Sequence, residues 1–130
     1  MSIRLLDAAG AEQLRSRIDS DPEFKLVSRD MTLHLCLEIG GEKRLFKFRD
    51  GKLESIGPFV PLAEPIDVYI KGAADFWRLL LSPVPPPGYQ NLYAGVRFKK
   101  CEVTGNSELY FAYFAAITRM IELMHEHQNG

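Results

Sequence analysis

Two cysteines, Cys36 and Cys101, in 130 residues are too few for a disulfide framework. No apolar leader precedes the first predicted helix, so a reducing, cytoplasmic setting is expected. Excess charge of either sign is also missing: 16 Lys and Arg against 17 Asp and Glu leave a net charge of −1. That balance argues against nucleic acid as a partner. The one local concentration of bases, Lys43, Arg44, Lys47, Arg49 and Lys52, is interleaved with Glu38, Glu42, Asp50 and Glu54. Such interleaving describes a solvated sheet face.

No apolar run approaches the roughly 18 residues of a transmembrane span. Gly-rich phosphate loops, Gly-x-Ser-x-Gly elbows and metalloprotease motifs are missing too, and the sequence has no internal repeat. The ending Gln128-Asn129-Gly130 matches no peroxisomal or retention address. His34 and Cys36 sit two apart on one strand face, but only Glu38 lies near as a further ligand, so they are read as an ordinary polar face. His125 and His127 fall in a tail (125–130) expected to fray, and two ligands there do not make a zinc site. No metal and no cofactor are expected.

What the sequence does have is apolar mass late in the chain. Every aromatic residue except Phe24 lies between Phe46 and Phe114. The stretch Leu109–Met124 reads as a helix whose polar members, Thr118, Glu122 and Arg119, fall between about 180° and 280° on the wheel. The remaining arc, containing Leu109, Tyr110, Tyr113, Phe114, Ile117, Met120, Ile121, Leu123 and Met124, is roughly 200° wide. That is about twice what packing on one layer requires. One half can cover a sheet; the other must face a cavity, a ligand, a membrane or a second chain, and the stretch's 16 residues with Arg119 and Glu122 exclude a membrane span.

Upstream, Asp7 is placed to cap a helix over residues 7–20, striped by Leu5, Ala8, Ala11, Leu14 and Ile18, with Pro22 ending it. Met31–Ile39 alternates strictly, with Leu33, Leu35, Leu37 and Ile39 on the buried face. Strands 44–49 and 52–57 flank Asp50-Gly51, the strongest short hairpin signal. A two-residue loop sets Phe48 opposite Leu53, Lys47 opposite Glu54 as an ion pair, and Phe46 opposite Ser55. Pro58, Pro61 and Pro65 keep the next connection extended. Ile66–Ile70 is a strand, Ala74–Leu81 a short helix, and the proline-rich Ser82–Gly88 a stiff loop. Its Pro83-Val84-Pro85-Pro86 pattern suits either rigid connection or docking on an aromatic groove. Residues 89–94 make at most one helical turn. Val96–Thr104 is the last strand, Gly105 turns, and Asn106 or Ser107 caps the final helix. The order predicts an α/β (α+β) domain spanning residues 1–130. It has a single layer of mixed, mainly antiparallel five-stranded sheet covered by helices, with its core over 30–124.

This order and its wording resemble the sterol carrier protein (type 2) lipid-binding domain family. Leu45–Leu53 is similar to that family's strand–Asp-Gly–strand hairpin. Ile66–Leu81, with Asp67 and Asp75-Phe76, is similar to its strand, small-residue turn and short helix, and Cys101–Leu123 to its last strand, Gly-Asn corner and closing helix. The four prolines of Ser82–Gly88 depart from the family's Gly-ended helical turn. The resemblance implies a non-catalytic, cytoplasmic carrier domain with a hydrophobic tunnel beside the closing helix. Its partner would be a fatty acid, fatty acyl-CoA or other lipid. The implied wall is Phe46, Phe48, Phe76, Trp77, Leu80, Phe98, Tyr113, Phe114, Ile117, Met120 and Ile121. Lys99 and Lys100 near the tunnel end either attract a phosphate or carboxylate headgroup or form the wet face of an edge strand with Arg97. The alternative is a homodimeric or accessory interaction module of the same fold, joined through the C-terminal helix, with a filled core and no cargo.

Overall fold

The computed structural model describes residues 2–58 and 64–130; Pro61 falls outside them. A single 3-10 turn, Arg4–Leu6, precedes α1 (Ala8–Ser20). Asp7 stands at the N-cap position of α1 but makes no side-chain cap bond. Pro22 does not end the helical stretch. It opens α2 (Pro22–Val27), because a first-turn position needs no N–H donor and Asp21 caps the turn by accepting from the Phe24 N–H at 2.8 Å.

Strands β1 (Leu33–Ile39), β2 (Glu42–Arg49), β3 (Lys52–Pro58) and β4 (Val68–Gly72) follow, then α3 (Ala74–Leu80), α4 (Leu92–Arg97) and β5 (Cys101–Gly105). The chain closes with α5 (Ser107–Ala112) and α6 (Phe114–Asn129). The five strands form one mixed sheet, ordered β3-β2-β1-β4-β5, in which β1 and β4 run parallel and the other pairs antiparallel. The mixed, mainly antiparallel five-stranded sheet expected from the sequence is therefore present. No helix among the described residues is long and apolar enough to cross a membrane.

At the hairpin, Asp50 (φ 49°) and Gly51 (φ 81°) both take the left-handed conformation a tight two-residue turn demands. Phe48 does face Leu53, but the register then shifts by one residue, so Lys47 faces Ser55 and Phe46 faces Ile56. The bulge has a physical reason. Without it Ser55 would enter the buried face opposite Phe46; with it Ile56 does. The expected Lys47–Glu54 pair is thereby lost, and Lys47 pairs with Glu64 instead.

Val96–Thr104 is not one strand. Val96 and Arg97 end α4, and only Cys101–Gly105 joins the sheet. The helix stops in a Schellman arrangement: the Lys99 N–H donates to the Val96 carbonyl at 3.1 Å and the Lys100 N–H to the Gly95 carbonyl at 2.8 Å. Lys99 occupies the left-handed position (φ 58°) that glycine usually takes. Gly95 also has a packing role, since a Cβ there would lie 2.7 Å from Phe76 Cε1 and 3.2 Å from Cys101 Sγ. Its bare backbone lets α4 press against α3 and β5.

The long final helix is broken. Tyr113 (φ −109°, ψ 21°) leaves helical geometry between α5 and α6, and α6 then runs through the tail expected to fray, to Asn129. Its last turn is anchored: Gln128 Nε2 donates to the Ser2 carbonyl and Gln128 Oε1 accepts from the Arg4 N–H. Arg119 ties α6 to α2 through two bonds to the Asp21 carboxylate, at 2.9 and 3.0 Å. Leu33, Leu35, Leu37, Phe46, Phe48, Val68 and Ile70 meet Ile117, Met120, Leu123 and Met124 in one continuous buried core.

Candidate functional site

The break at Tyr113 divides the wide apolar arc between two tasks. On α6, Ile117 is 1% exposed and Met120 0%, so this half is consumed by the core. On α5 the aromatics stay near the surface: Tyr110 is buried at the edge of the core, whereas Phe111 is 72% exposed. Across from them stands α4, whose Asn91 cap accepts from the Ala94 N–H at 2.8 Å.

Between α4 and α5 lies a cleft of about 490 Å³, lined by Tyr93, Val96, Arg97, Tyr110, Phe111 and Phe114. Its volume falls within the range of roughly 300–1,000 Å³ usual for small-molecule sites. A smaller recess of about 190 Å³ adjoins it, sharing Val96, Tyr110 and Phe111 and reaching the Gly105-Asn106 corner. Tyr110 holds the wall together, its ring 5.3 Å from Phe111 and 5.5 Å from Phe114, both edge-on. Asn106 positions α5 by accepting from the Leu109 N–H, and Gly105 permits its own close approach to the Asp67 carbonyl.

The two weak acids of this region are held in their neutral forms. Burial, and then the neighbouring Cys101, push the Tyr110 phenol up, and burial pushes the Cys101 thiol to about 11. Both are therefore uncharged at neutral pH. The one ionised group in the wall is Arg97, whose guanidinium lies 5.9 Å from the Phe98 ring centre. An apolar tail in the cleft would thus find a single cation at its rim. Two further clefts carry several charged residues in their walls. One, of about 550 Å³, includes Glu38, Lys71, Lys99, Lys100 and Glu102; the other, of about 540 Å³, lies between the proline loop and α6 at Arg119, Glu122 and His125.

Phe46, Phe48, Phe76, Trp77, Ile117 and Met120, expected as tunnel wall, are buried in the core, whereas Leu80 and Ile121, also buried, line the cleft between the proline loop and α6. Trp77 spends its indole N–H on the Glu38 carbonyl at 2.9 Å. Phe98 follows α4 and is 55% exposed, because the strand that was to turn it inward does not form there. Tyr113 sits half-buried at the helix break, and Phe114 alone of the expected wall reaches the apolar cleft. Tyr93, Val96, Arg97, Tyr110 and Phe111 complete that cleft without having been proposed as wall. One signal was available: Phe111 lies at about 200° on the wheel, an aromatic inside the polar arc.

The His34–Cys36 pair is structural. The Cys36 thiol is fully buried and pushed up by that burial, while His34 Nδ1 meets the Pro65 carbonyl at 2.9 Å. Among the described residues no three His, Cys, Asp or Glu side chains gather to hold a metal ion.

No family model matches the chain, and no curated protein does. Solved structures do. Sterol carrier protein 2 superposes with a TM-score of 0.75 at 14% identity, covering 94% of this chain and 98% of that one. A conserved protein of Thermus thermophilus, described as possibly a sterol carrier protein, gives 0.75 at 13% identity, covering 99% and 93%. The palmitated sterol carrier protein 2-like 2 of Aedes aegypti gives 0.52 at 19% identity, covering 98% of each chain. At such identities the similarity establishes the fold.

Proposed function

We propose that this chain, built on the sterol carrier protein 2 fold, is a non-catalytic binding and carrier domain for a fatty acid, fatty acyl or similar lipidic ligand. The apolar tail lies in the cleft between α4 and α5, and an anionic end meets Arg97. One observation carries the reading. Tyr93, Val96, Tyr110, Phe111 and Phe114 surround an apolar cleft that stays open to water. Leaving such a surface wet is unfavourable by about 25 cal/mol per Å², so a ligand that covers it is bound by desolvation. The palmitated insect protein supports an acyl ligand for this fold.

The homodimer reading finds less support. The exposed positions of α6 are Ala115, Glu122, Glu126 and Asn129, a mostly polar set, so a dimer through the C-terminal helices would rest on Phe111 and its neighbours on α5, the surface that the ligand covers in this reading. Titration with a fluorescent fatty-acid analogue tests the proposal. The wild type is expected to bind one equivalent, and Phe114→Asp, which puts a charge into the cleft wall, is expected to abolish binding; because Phe114 also packs on the core and on Tyr110, its melting temperature falls as well, and the assay is run well below it. Absence of binding by the wild type, or equal binding by a folded Phe114→Asp variant, would overturn it.

A further inference from the structure

The two edges of the sheet are finished differently. At the β3 edge α1 takes up the outward backbone groups: the Leu53 N–H donates to Asp19 Oδ1 at 3.3 Å and the Leu53 carbonyl accepts from Arg15 Nη1 at 3.5 Å. α1 packs along that strand and closes it to a newcomer. β5, at the other edge, has no such cover. Along β4 the Gly72 carbonyl accepts from the Gly40 N–H, on the β1 side, and the Asp67 carbonyl accepts from the Asn106 N–H, on the β5 side. Alternate residues of a strand turn their backbone groups to opposite neighbours, so Tyr69 and Lys71 bond to their register partners Thr104 and Glu102. Cys101 and Val103, between and beside these, then direct N–H and C=O out of the sheet. Among the described residues no turn, cap or side chain bonds to them.

Beside this open edge the surface is grooved from end to end. The mostly apolar recess of about 190 Å³ runs from Val103 to the Gly105-Asn106 corner, walled by Tyr110 and Phe111. At roughly 30 Å³ for a group of methylene size it takes about six, the bulk of one leucine or phenylalanine side chain. At the other end lies the cleft of about 550 Å³ that includes Cys101, Glu102, Lys99 and Lys100, and Val96 borders both. Neither Lys99 nor Lys100 has a salt-bridge partner among the described residues. Lys100 Nζ stands 5.8 Å from the Tyr89 ring centre. Of the nearby acids, Glu102 faces Lys71 across the register and Glu108 lies in the first turn of α5.

We infer that β5 accepts a sixth strand from another protein. The incoming segment is extended, puts one large apolar side chain in the recess, and carries acidic residues about five positions away, against Lys99 and Lys100. That spacing is the separation of Gly105 from Lys100, about 17 Å at roughly 3.3 Å per residue. In strand addition the main-chain bonds supply affinity, and pockets for particular side chains supply specificity. Charge complementarity selects an acidic segment. A second copy of the chain fits less well: laid antiparallel about Val103, its β5 would offer the recess beside Gly105 only Cys101, which is already packed beside its own Gly95. The inference goes beyond the lipid reading and stands whether or not the cleft between α4 and α5 holds an acyl chain.

Selection from a random peptide library displayed on phage, with the full chain immobilised, tests it. The enriched sequences are expected to hold one large apolar residue and acidic residues about five positions from it. A synthetic, fluorescein-labelled copy of one is expected to bind in solution by anisotropy, and more weakly near 1 M salt than at about 0.1 M. Val103→Pro removes an outward donor and no bond to β4, because proline is tolerated where a strand N–H faces solvent. It is expected to abolish peptide binding while circular dichroism shows a folded chain. Lys99→Gln with Lys100→Gln lowers affinity about tenfold, and Lys99→Glu with Lys100→Glu turns the selection toward basic peptides. None of these residues lines the apolar cleft, so the fluorescent fatty-acid analogue binds all the variants as it binds the wild type. Failure of that binding in the wild type strikes the lipid reading alone. A library that yields no such acidic sequence, or a peptide that binds folded Val103→Pro as well as wild type, overturns the strand-addition inference. Indifference to the lysine substitutions overturns it too, whatever the proline does to stability. So does a concentration-dependent dimer that Val103→Pro dissolves, which would assign the edge to a second copy.

Discussion

Lengthening a saturated fatty acid by one methylene measures how much of that methylene the protein takes out of water. Complete burial contributes about 0.8 kcal/mol per CH₂, a fourfold gain in affinity for each carbon. An enclosed tunnel gives that slope. The cleft between α4 and α5 does not enclose its contents, since Phe111 is 72% exposed and Tyr93 58% along its rim. With about half of each methylene left wet, the increment falls to about 0.4 kcal/mol, a twofold gain per carbon.

The gain must also stop. At about 30 Å³ for a water in the liquid, and a methylene of similar size, 490 Å³ holds roughly 16 such groups, fewer once the open side is discounted. Affinity should therefore rise about twofold per carbon from octanoate to about the dodecanoate length and then level off. Val96 borders the apolar cleft, the recess and the neighbouring lysine-lined cleft, so Val96→Trp should shift the plateau to shorter chains. Displacement of a fluorescent fatty acid by the homologous series, below micelle-forming concentrations, reads both quantities. A fourfold slope extending through palmitate and beyond, untouched by Val96→Trp, would refute the reasoning. It would return the ligand to an interior tunnel among Phe76, Trp77 and Ile121.

Two further outcomes concern what holds α6 over the sheet. Asp21 both caps α2 and grips Arg119, whose hydrogen bonds, with that from the Phe24 N–H, hold the Asp21 carboxyl below its ordinary range. Asp21→Ala should cost about 2–3 kcal/mol, from a cap worth about 1 and a half-buried ionic hydrogen-bonded pair worth somewhat more; Asp21→Asn, which keeps the cap, should cost about half as much. Thermal unfolding separates them, and equal losses would show that the ion pair contributes nothing. His127 is buried, and that burial, with Arg4 and Arg17 nearby, lowers its pKa from 6.5. The folded state thus binds its proton less readily than the unfolded chain, so its stabilisation is complete above pH 6.5 and is lost as pH falls below it. Asp21 acts only in more acid solution, below its unfolded value of 3.8. Between pH 7.5 and about 5.5 the wild type should therefore lose more melting temperature than His127→Gln; equal losses would contradict the assignment.

The sequence was most informative where the determining forces are local. Alternation in β1, the Asp50-Gly51 turn, the Asn106 cap and the Gly105 corner each depend on residues within a few positions of one another. They were legible for that reason. The family likeness read from their order was a likeness of fold, and the solved structures match it as a fold. Three features were not legible. The bulge at Lys47/Phe48 exists because Ile56 must reach the face of a core assembled from distant segments. Val96–Thr104 alternates in two halves whose phase slips at Lys99-Lys100; Gly95 lets α4 pack on Phe76, and the backbone turns at that slip before β5 begins. Nothing in Leu-Tyr-Phe-Ala-Tyr-Phe marks Tyr113 as a break, since it holds neither proline nor glycine.

By itself the sequence determined that the last helical stretch carries more apolar surface than one layer can bury. Periodicity measures amphipathic width, and that width is a local property. Only the tertiary structure decided how the surplus is divided. The sheet, α1 and α2 take the face of α6, and Arg119 on Asp21 fixes its position. The break at Tyr113 leaves Phe111 and Phe114 facing α4 across a cleft. Burial belongs to whatever surfaces meet, and which surfaces meet is settled by the whole chain at once.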